Sequence, residues 1–170
     1  TDNASNEVTL NISSFVIDTT APTLSSTSPA DSDNLTSVST SIQVTFSEEM
    51  DNISTTTSGT TCSGSLQLSL NSFSSCVPMT SSPSTSDNIT FTIDPSDNLS
   101  FYTTYKIKVT TDASDLAGNN LASDNTTSNG FTTKYFTTYL GTSSSEEGRA
   151  IASDSDNYTY ITGGTYGGLD

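Results

Sequence analysis

The sequence predicts an all-β protein: an antiparallel two-sheet sandwich of about seven short strands. Three observations predict it. Apolar and polar residues alternate with period two in several short runs, the mark of a half-buried strand. Turn formers separate the runs, and no segment carries a helical period. Hydrophobic residues are only 31% of the chain, and Thr and Ser replace much of what is missing. Threonine is β-branched and favours strands, so the composition is of a β type more than a disordered type.

The elements follow in order. Val8, Leu10 and Ile12 alternate, and Phe15 and Ile17 continue the pattern. The same order, an Asp/Asn/Ala turn and then a closing strand, returns at Thr111–Asn120 and Phe131–Thr133. Residues 1–20 therefore read as the last loop and strand of a preceding copy, plus a linker. Pro22 ends the linker by forcing Ala21 into an extended conformation. A weak strand surrounds Leu24, and Ala30–Asn34 is a turn.

Ile42, Val44 and Phe46 then give the strongest strand, closed by Glu48, Glu49 and Asp51. A polar excursion runs from Met50 to Thr61. Leu66, Leu68 and Leu70 form the next strand, and Cys76–Met79 reads as a short edge strand because Pro78 cannot donate to a ladder. Ile89, Phe91 and Ile93 follow, then Tyr105, Ile107 and Val109, and Phe131–Tyr139 closes the set. Tyr105 opens the penultimate strand. It is either a corner tyrosine bonded to backbone or an ordinary half-buried ring.

Charge excludes some functions. The chain carries 19 acids against Lys106, Lys108, Lys134 and Arg149, a net charge of −15. Nucleic acid is excluded as a partner, because phosphates are neutralised by Lys and Arg. Cations, calcium above all, suit such a surface; the alternative is a plain solvated surface. No run of residues is apolar enough to span a membrane. With no histidine, neither a Ser-His-Asp triad nor a Cys-His pair can form. Nor does a glycine-rich phosphate loop appear, so the expectation is a non-catalytic chain. Cys62 and Cys76 are either a disulfide, which suits an oxidising compartment, or two free thiols.

Ala21-Pro22-Thr23 through Ser28-Pro29-Ala30-Asp31, then SIQVTFSEEMD, TFTIDPSDNLSFYTTYKIKV and DLAGNNL from Asp115, together resemble the bacterial Ig-like domain of the SbsA type. The resemblance covers roughly Pro22 to Thr138, and the domain is assigned to 21–138. The Cys62–Cys76 stretch departs from the commonest form of the family. Residues 139–170, YLGTSSSEEGRAIASDSDNYTYITGGTYGGLD, are similar to part of an SBBP-type β-propeller repeat. Physically this is two strands around an Asp/Asn-rich turn. One blade needs four strands, so this piece is no propeller alone.

The resemblance implies a spacer and interaction module in a bacterial cell-surface or secreted multidomain protein, with adhesion as one role. Its partners would be neighbouring Ig-like and propeller domains of the same chain. A second function is a binding module for a host or matrix protein or a glycan, using Tyr102, Tyr135, Phe136, Tyr158 and Tyr160. The chain also holds eight N-x-S/T triplets, at Asn3, Asn11, Asn34, Asn52, Asn88, Asn98, Asn125 and Asn157. A chain so rich in Ser, Thr and Asn makes such triplets by chance, and in a bacterium most would carry no glycan.

In an Ig-like sandwich the second and sixth strands run the same way, so the loops after them emerge together where the chain comes in. Those pieces are Glu48, Glu49 and Asp51, then Asp112, Asp115 and Asn119, with Asp18 of the linker. All offer hard oxygen ligands, so the seven residues are a candidate calcium site. Two carboxylates about 5 Å apart repel by roughly 3 kcal/mol at an effective dielectric near 20, which a divalent ion relieves. The competing reading is that acids and asparagines sit in loops because loops are solvated.

Overall fold

The computed structural model describes residues 17–134 in full, together with the backbones of two strands at 146–153 and 159–165. Residues 1–16 of the expected remnant at 1–20, and residues 135–145, 154–158 and 166–170, lie outside the described residues. The chain divides into two units, Thr1–Tyr135 and Phe136–Asp170.

The first unit is an all-β sandwich. One sheet is β1 (Leu24–Ser28), β2 (Ile42–Phe46) and β5 (Thr90–Ile93), with β2 central. The other holds β4 (Leu66–Ser69), β6 (Thr104–Val109), β8 (Asn125–Thr126) and β9 (Phe131–Thr132), all paired through β6. A short ladder joins β3 (Met50–Asn52) to β7 (Ser114–Asp115). Every pairing between these strands is antiparallel.

The alternation sets which face is buried. Val44 pairs with Phe91 and Ile42 with Ile93 in one sheet; Leu66 pairs with Val109 and Leu68 with Ile107 in the other. All eight side chains are buried in one shared core with Phe46, Tyr105 and Phe131. Phe46 meets Phe91 edge to face, with ring centroids 6.0 Å apart. One-residue slips would turn these apolar rows to solvent, so the core fixes the register.

β4 is the exception to alternation, because both of its faces are buried. Gln67 and Ser69 are buried as well: Gln67 Nε2 donates to the Gly64 carbonyl at 3.1 Å, and Ser69 is bonded into the 71–75 turn that follows the strand. Ser69 Oγ donates to the Ser75 carbonyl at 2.7 Å and accepts the Phe73 N–H at 3.0 Å. The strand's outer edge is also occupied. Leu66 N–H donates to the Ser54 carbonyl at 2.9 Å, and Val77 N–H to the Leu68 carbonyl at 2.8 Å.

Four expectations differ in detail. Leu70, expected in the strand with Leu66 and Leu68, lies past the end of β4 and is exposed. Cys76–Met79 is no strand; it runs beside β4 through Val77 and makes a single bridge from Met79 to Pro95. The polar excursion after Met50 begins as β3, whose partner β7 lies in a loop of the sequence. The described part of the last strand is β9 alone. Two-residue strands such as β7 and β8 are too short to show a period.

The second unit contains a hairpin, β10 (Glu146–Ser153) against β11 (Thr159–Thr165), antiparallel with a register shift between Gly148 and Ala150. Among the described residues no helix is long and apolar enough to cross a membrane.

Candidate functional site

The sandwich has two poles. β2 and β6 both end at the incoming pole, where residue 18 lies; β1 ends and β6 begins at the outgoing pole, where residue 134 lies.

At the incoming pole the linker is tied to the end of β2. Ser47 N–H donates to the Thr23 carbonyl and Thr23 N–H to Ser47 Oγ, each at 2.9 Å. Asp18 closes its own turn, accepting the Thr20 N–H at 2.9 Å. Asp115 is 2% exposed, a depth that an unpaired carboxylate would not tolerate. Its Oδ1 accepts the backbone N–H groups of Ala117 and Asn119, each at 2.8 Å, and its Oδ2 accepts Asn119 Nδ2 at 2.9 Å. Burial pushes this carboxyl up, but the hydrogen bonds from Asn119, Ala117 and Gly118 win and hold it below the ordinary aspartate value.

Glu48 stands beside it in the opposite condition. Burial, then the charges of Asp18 and Asp115, then a hydrogen bond with Asp18, hold its carboxyl above the ordinary glutamate value. One oxygen each from Asp18, Glu48 and Asp115 lies within 4.8 Å of the others. They line an open hollow of about 320 Å³ with Glu49, Leu116 and Ala117.

Of the seven residues singled out in sequence, the structure brings Asp18, Glu48 and Asp115 into one cluster, with Glu49 on its wall. Asp51 lies exposed on β3 and Asp112 exposed on the loop between β6 and β7, outside the cluster. Asn119 meets the cluster with its amide nitrogen. Nδ2 donates both to Asp115 Oδ2 and to the Asp18 carbonyl, at 3.2 Å. Two acceptors there fix the amide's orientation, so Asn119 acts as a brace between linker and loop. Sequence reasoning read it as a ligand because its oxygen and nitrogen ends look alike in a sequence.

Chemically, the cluster is a set of hard oxygens. Calcium binds oxygens at about 2.3–2.6 Å, so two of its ligands lie at most about 5 Å apart, and the observed spacing is within that reach. The chain has no histidine and both cysteines are joined in a disulfide, which disfavours zinc.

Two features lie elsewhere. Cys62 and Cys76 are joined by a disulfide with a Cα–Cα distance of 4.9 Å. A closed loop of about 15 residues is worth roughly 3 kcal/mol in the chain-entropy model. It ties the chain before β4 to the turn after it, and over that turn Lys108 Nζ sits 4.3 Å from the Phe73 ring centroid. Tyr105 is 2% exposed, stacks on Phe131 at 5.8 Å and accepts the Ser100 N–H on its hydroxyl at 3.0 Å. That is the corner arrangement, five residues back along the chain.

Of the five aromatics named for a binding role, Tyr102 is described and is 68% exposed. Tyr135, Phe136 and Tyr158, and the side chain of Tyr160, lie outside the described residues. A feature that sequence reasoning missed is the clasp of Asp31 at the outgoing pole. Its Oδ1 accepts the N–H groups of Asn129 at 2.9 Å and Gly130 at 2.6 Å. The Asn-Gly pair was the available signal: Gly130 has φ +78°, and a Cβ there would strike the Tyr105 carbonyl.

Comparison with known proteins adds a family. The bacterial Ig-like domain family matches residues 18–138. Three solved structures of the S-layer protein SbsC are similar over 86–88% of this chain, at 17–19% identity. They are the crystal structure of rSbsC(31-844), the structure of domains 1-6 and the crystal structure of the N-terminal part, with TM-scores of 0.43, 0.44 and 0.45. The match spans 19% of the first two chains and 33% of the third. No curated protein matches the sequence. With more than half its length matched, and with a two-sheet sandwich closed by a corner tyrosine, the chain belongs to the bacterial Ig-like domain family.

Proposed function

We propose that this chain is a non-catalytic spacer in a bacterial cell-surface or secreted multidomain protein, with a calcium-binding joint at its incoming pole. The observation that carries the spacer reading is the path of the chain through the domain. It comes in at Asp18 at one pole and leaves through Lys134, whose N–H donates to the Thr36 carbonyl at 2.9 Å, at the other. A domain entered at one pole and left at the other adds its own length to the chain of domains it belongs to. The disulfide supports an oxidising compartment outside the cytoplasm.

Asp18, Glu48 and Asp115 hold the ion in this reading, with Glu49 or water completing the shell. The ion would bond the linker to two loops of the domain, converting a hinge into a stiff joint. Residues 1–20 would be the last loop and strand of an upstream Ig-like domain plus the linker, and residues 139–170 part of an SBBP-type propeller repeat; the β10–β11 hairpin supports the latter. Adhesion to a host or matrix protein or a glycan is the second reading, supported by the exposed ring of Tyr102.

Thermal melts test the joint. Millimolar calcium should raise the melting temperature of the 170-residue chain, and Asp115→Asn should abolish the rise. An unchanged melting temperature between calcium and chelator removes calcium from the proposal and leaves the spacer standing. Small-angle scattering tests the spacer itself: an array of linked copies should lengthen in proportion to copy number, and a compact globule would refute it.

A further inference from the structure

The N-x-S/T triplets are not scattered at random. Asp-Asn occurs seven times in the chain, at Asn3, Asn34, Asn52, Asn88, Asn98, Asn125 and Asn157, and every one is followed two residues on by Ser or Thr. Ser and Thr supply fewer than half the residues, so a complete set is not what random placement gives. Asparagines without the hydroxyl residue, such as Asn71, Asn119, Asn120 and Asn129, never follow Asp.

The structure separates the same two groups. Asn34, Asn52, Asn88, Asn98 and Asn125 are all exposed, and none of their side-chain amides makes a hydrogen bond among the described residues. Asn71, Asn119 and Asn129 instead commit their amides to Ser75 Oγ, to Asp115 with the Asp18 carbonyl, and to Ser32 Oγ. Only Asn120 of that group is exposed without such a bond.

Thr36 adds an independent observation. It is 6% exposed, and its Oγ1 is buried without a hydrogen-bond partner. A buried unpaired hydroxyl is unfavourable, and valine would fill the same space without that cost. Folding therefore gives no reason for the hydroxyl, whereas the Asn34-Leu35-Thr36 triplet does.

We propose that the Asp-Asn-x-Ser/Thr units are acceptor sites for N-linked glycans, with Asn34 the best supported. The donor is an oligosaccharide on a polyprenyl pyrophosphate. Asn Nδ2 attacks the anomeric carbon, a C–N bond forms, and the C–O bond to pyrophosphate breaks. The lipid pyrophosphate leaves with the electron pair, and the amide loses one proton. Because Thr36 is closed off in the fold, its hydroxyl is read before that turn packs, while Asn34 stays outside to carry the sugar.

The test is glycopeptide mass spectrometry on the protein purified from the organism that makes it. Sugar should be found on the asparagines of these triplets, Asn34 among them. Thr36→Val, expressed in the same organism, should lose the glycan at Asn34 alone and melt no lower than the parent. Ser100→Ala should do the same at Asn98; its backbone keeps the bonds to Tyr105 and Thr133. Unmodified asparagine peptides, sugar confined to Ser and Thr oxygens, or glycan persisting on Asn34 in Thr36→Val would each overturn the proposal.

Discussion

The two poles of the sandwich solve the same problem in opposite ways. Each must finish the loose backbone ends of several strands. The outgoing pole does it with neutral groups and with the carboxylates of Asp31 and Asp33, each accepting backbone N–H groups. Tyr105 holds Ser100, Thr133 Oγ1 donates to the Ser100 carbonyl and accepts the Thr103 N–H, and Asp31 clasps Asn129 and Gly130. The incoming pole gathers Asp18, Glu48 and Asp115 instead, and only Asp115 is fully supplied with donors. One pole is complete in itself; the other carries repulsion that a cation or a proton would relieve. Where charge is left uncompensated, a partner is the physical expectation.

Substitutions sharpen the contrast. The largest effect is expected for Phe131→Ala, which empties the stack against Tyr105 in the core of the outgoing pole. Loss of ~3–5 kcal/mol in urea unfolding is expected. Tyr105→Phe keeps the ring and removes the hydroxyl, so a loss of ~1 kcal/mol is expected from the same measurement. At the incoming pole the sign should reverse. Glu48→Gln removes one of three crowded acids, and in chelator at neutral pH it should melt higher than the parent. A lower melting temperature there would erase the distinction between the poles.

The smallest effect is in pH dependence. Thr90 and Ile89 N–H groups donate to Asp87 at 2.8 and 3.0 Å and hold its carboxyl below the ordinary value of 3.8. A lowered native value means the unfolded chain binds more protons there, so this stabilisation is present above pH 3.8 and lost as pH falls further. Glu48 acts in the other direction: its raised value makes stability fall as pH rises from 4.5. Asp87→Asn should therefore lower the melting temperature above pH 4 and flatten the acid limb of its pH profile, without altering the slope above pH 4.5. A profile unchanged below pH 4 would show that the turn does not need the charge.

Most of the sandwich was legible because its core strands alternate strictly. Ile42, Val44 and Phe46, or Tyr105, Ile107 and Val109, announce both their conformation and their buried face. β7 and β8 were not legible, since two residues carry no period and their pairing is decided by tertiary contact. At the acidic pole, strand direction put Asp18, Glu48 and Asp115 at one end. It could not tell that Asp115 would be buried or that Asp112 would turn outward. Those outcomes depend on the tight loop through Gly118, which wraps N–H groups around one carboxylate and not its neighbour.

The occupied edge of β4 has a consequence for association between chains. A strand at the margin of a sheet is a template for pairing with another chain. Here residues 54 and 77 already occupy the amide and carbonyl of that margin, and the disulfide ties the chain before the strand to the turn after it. A second copy is thus denied a route to pair along this strand.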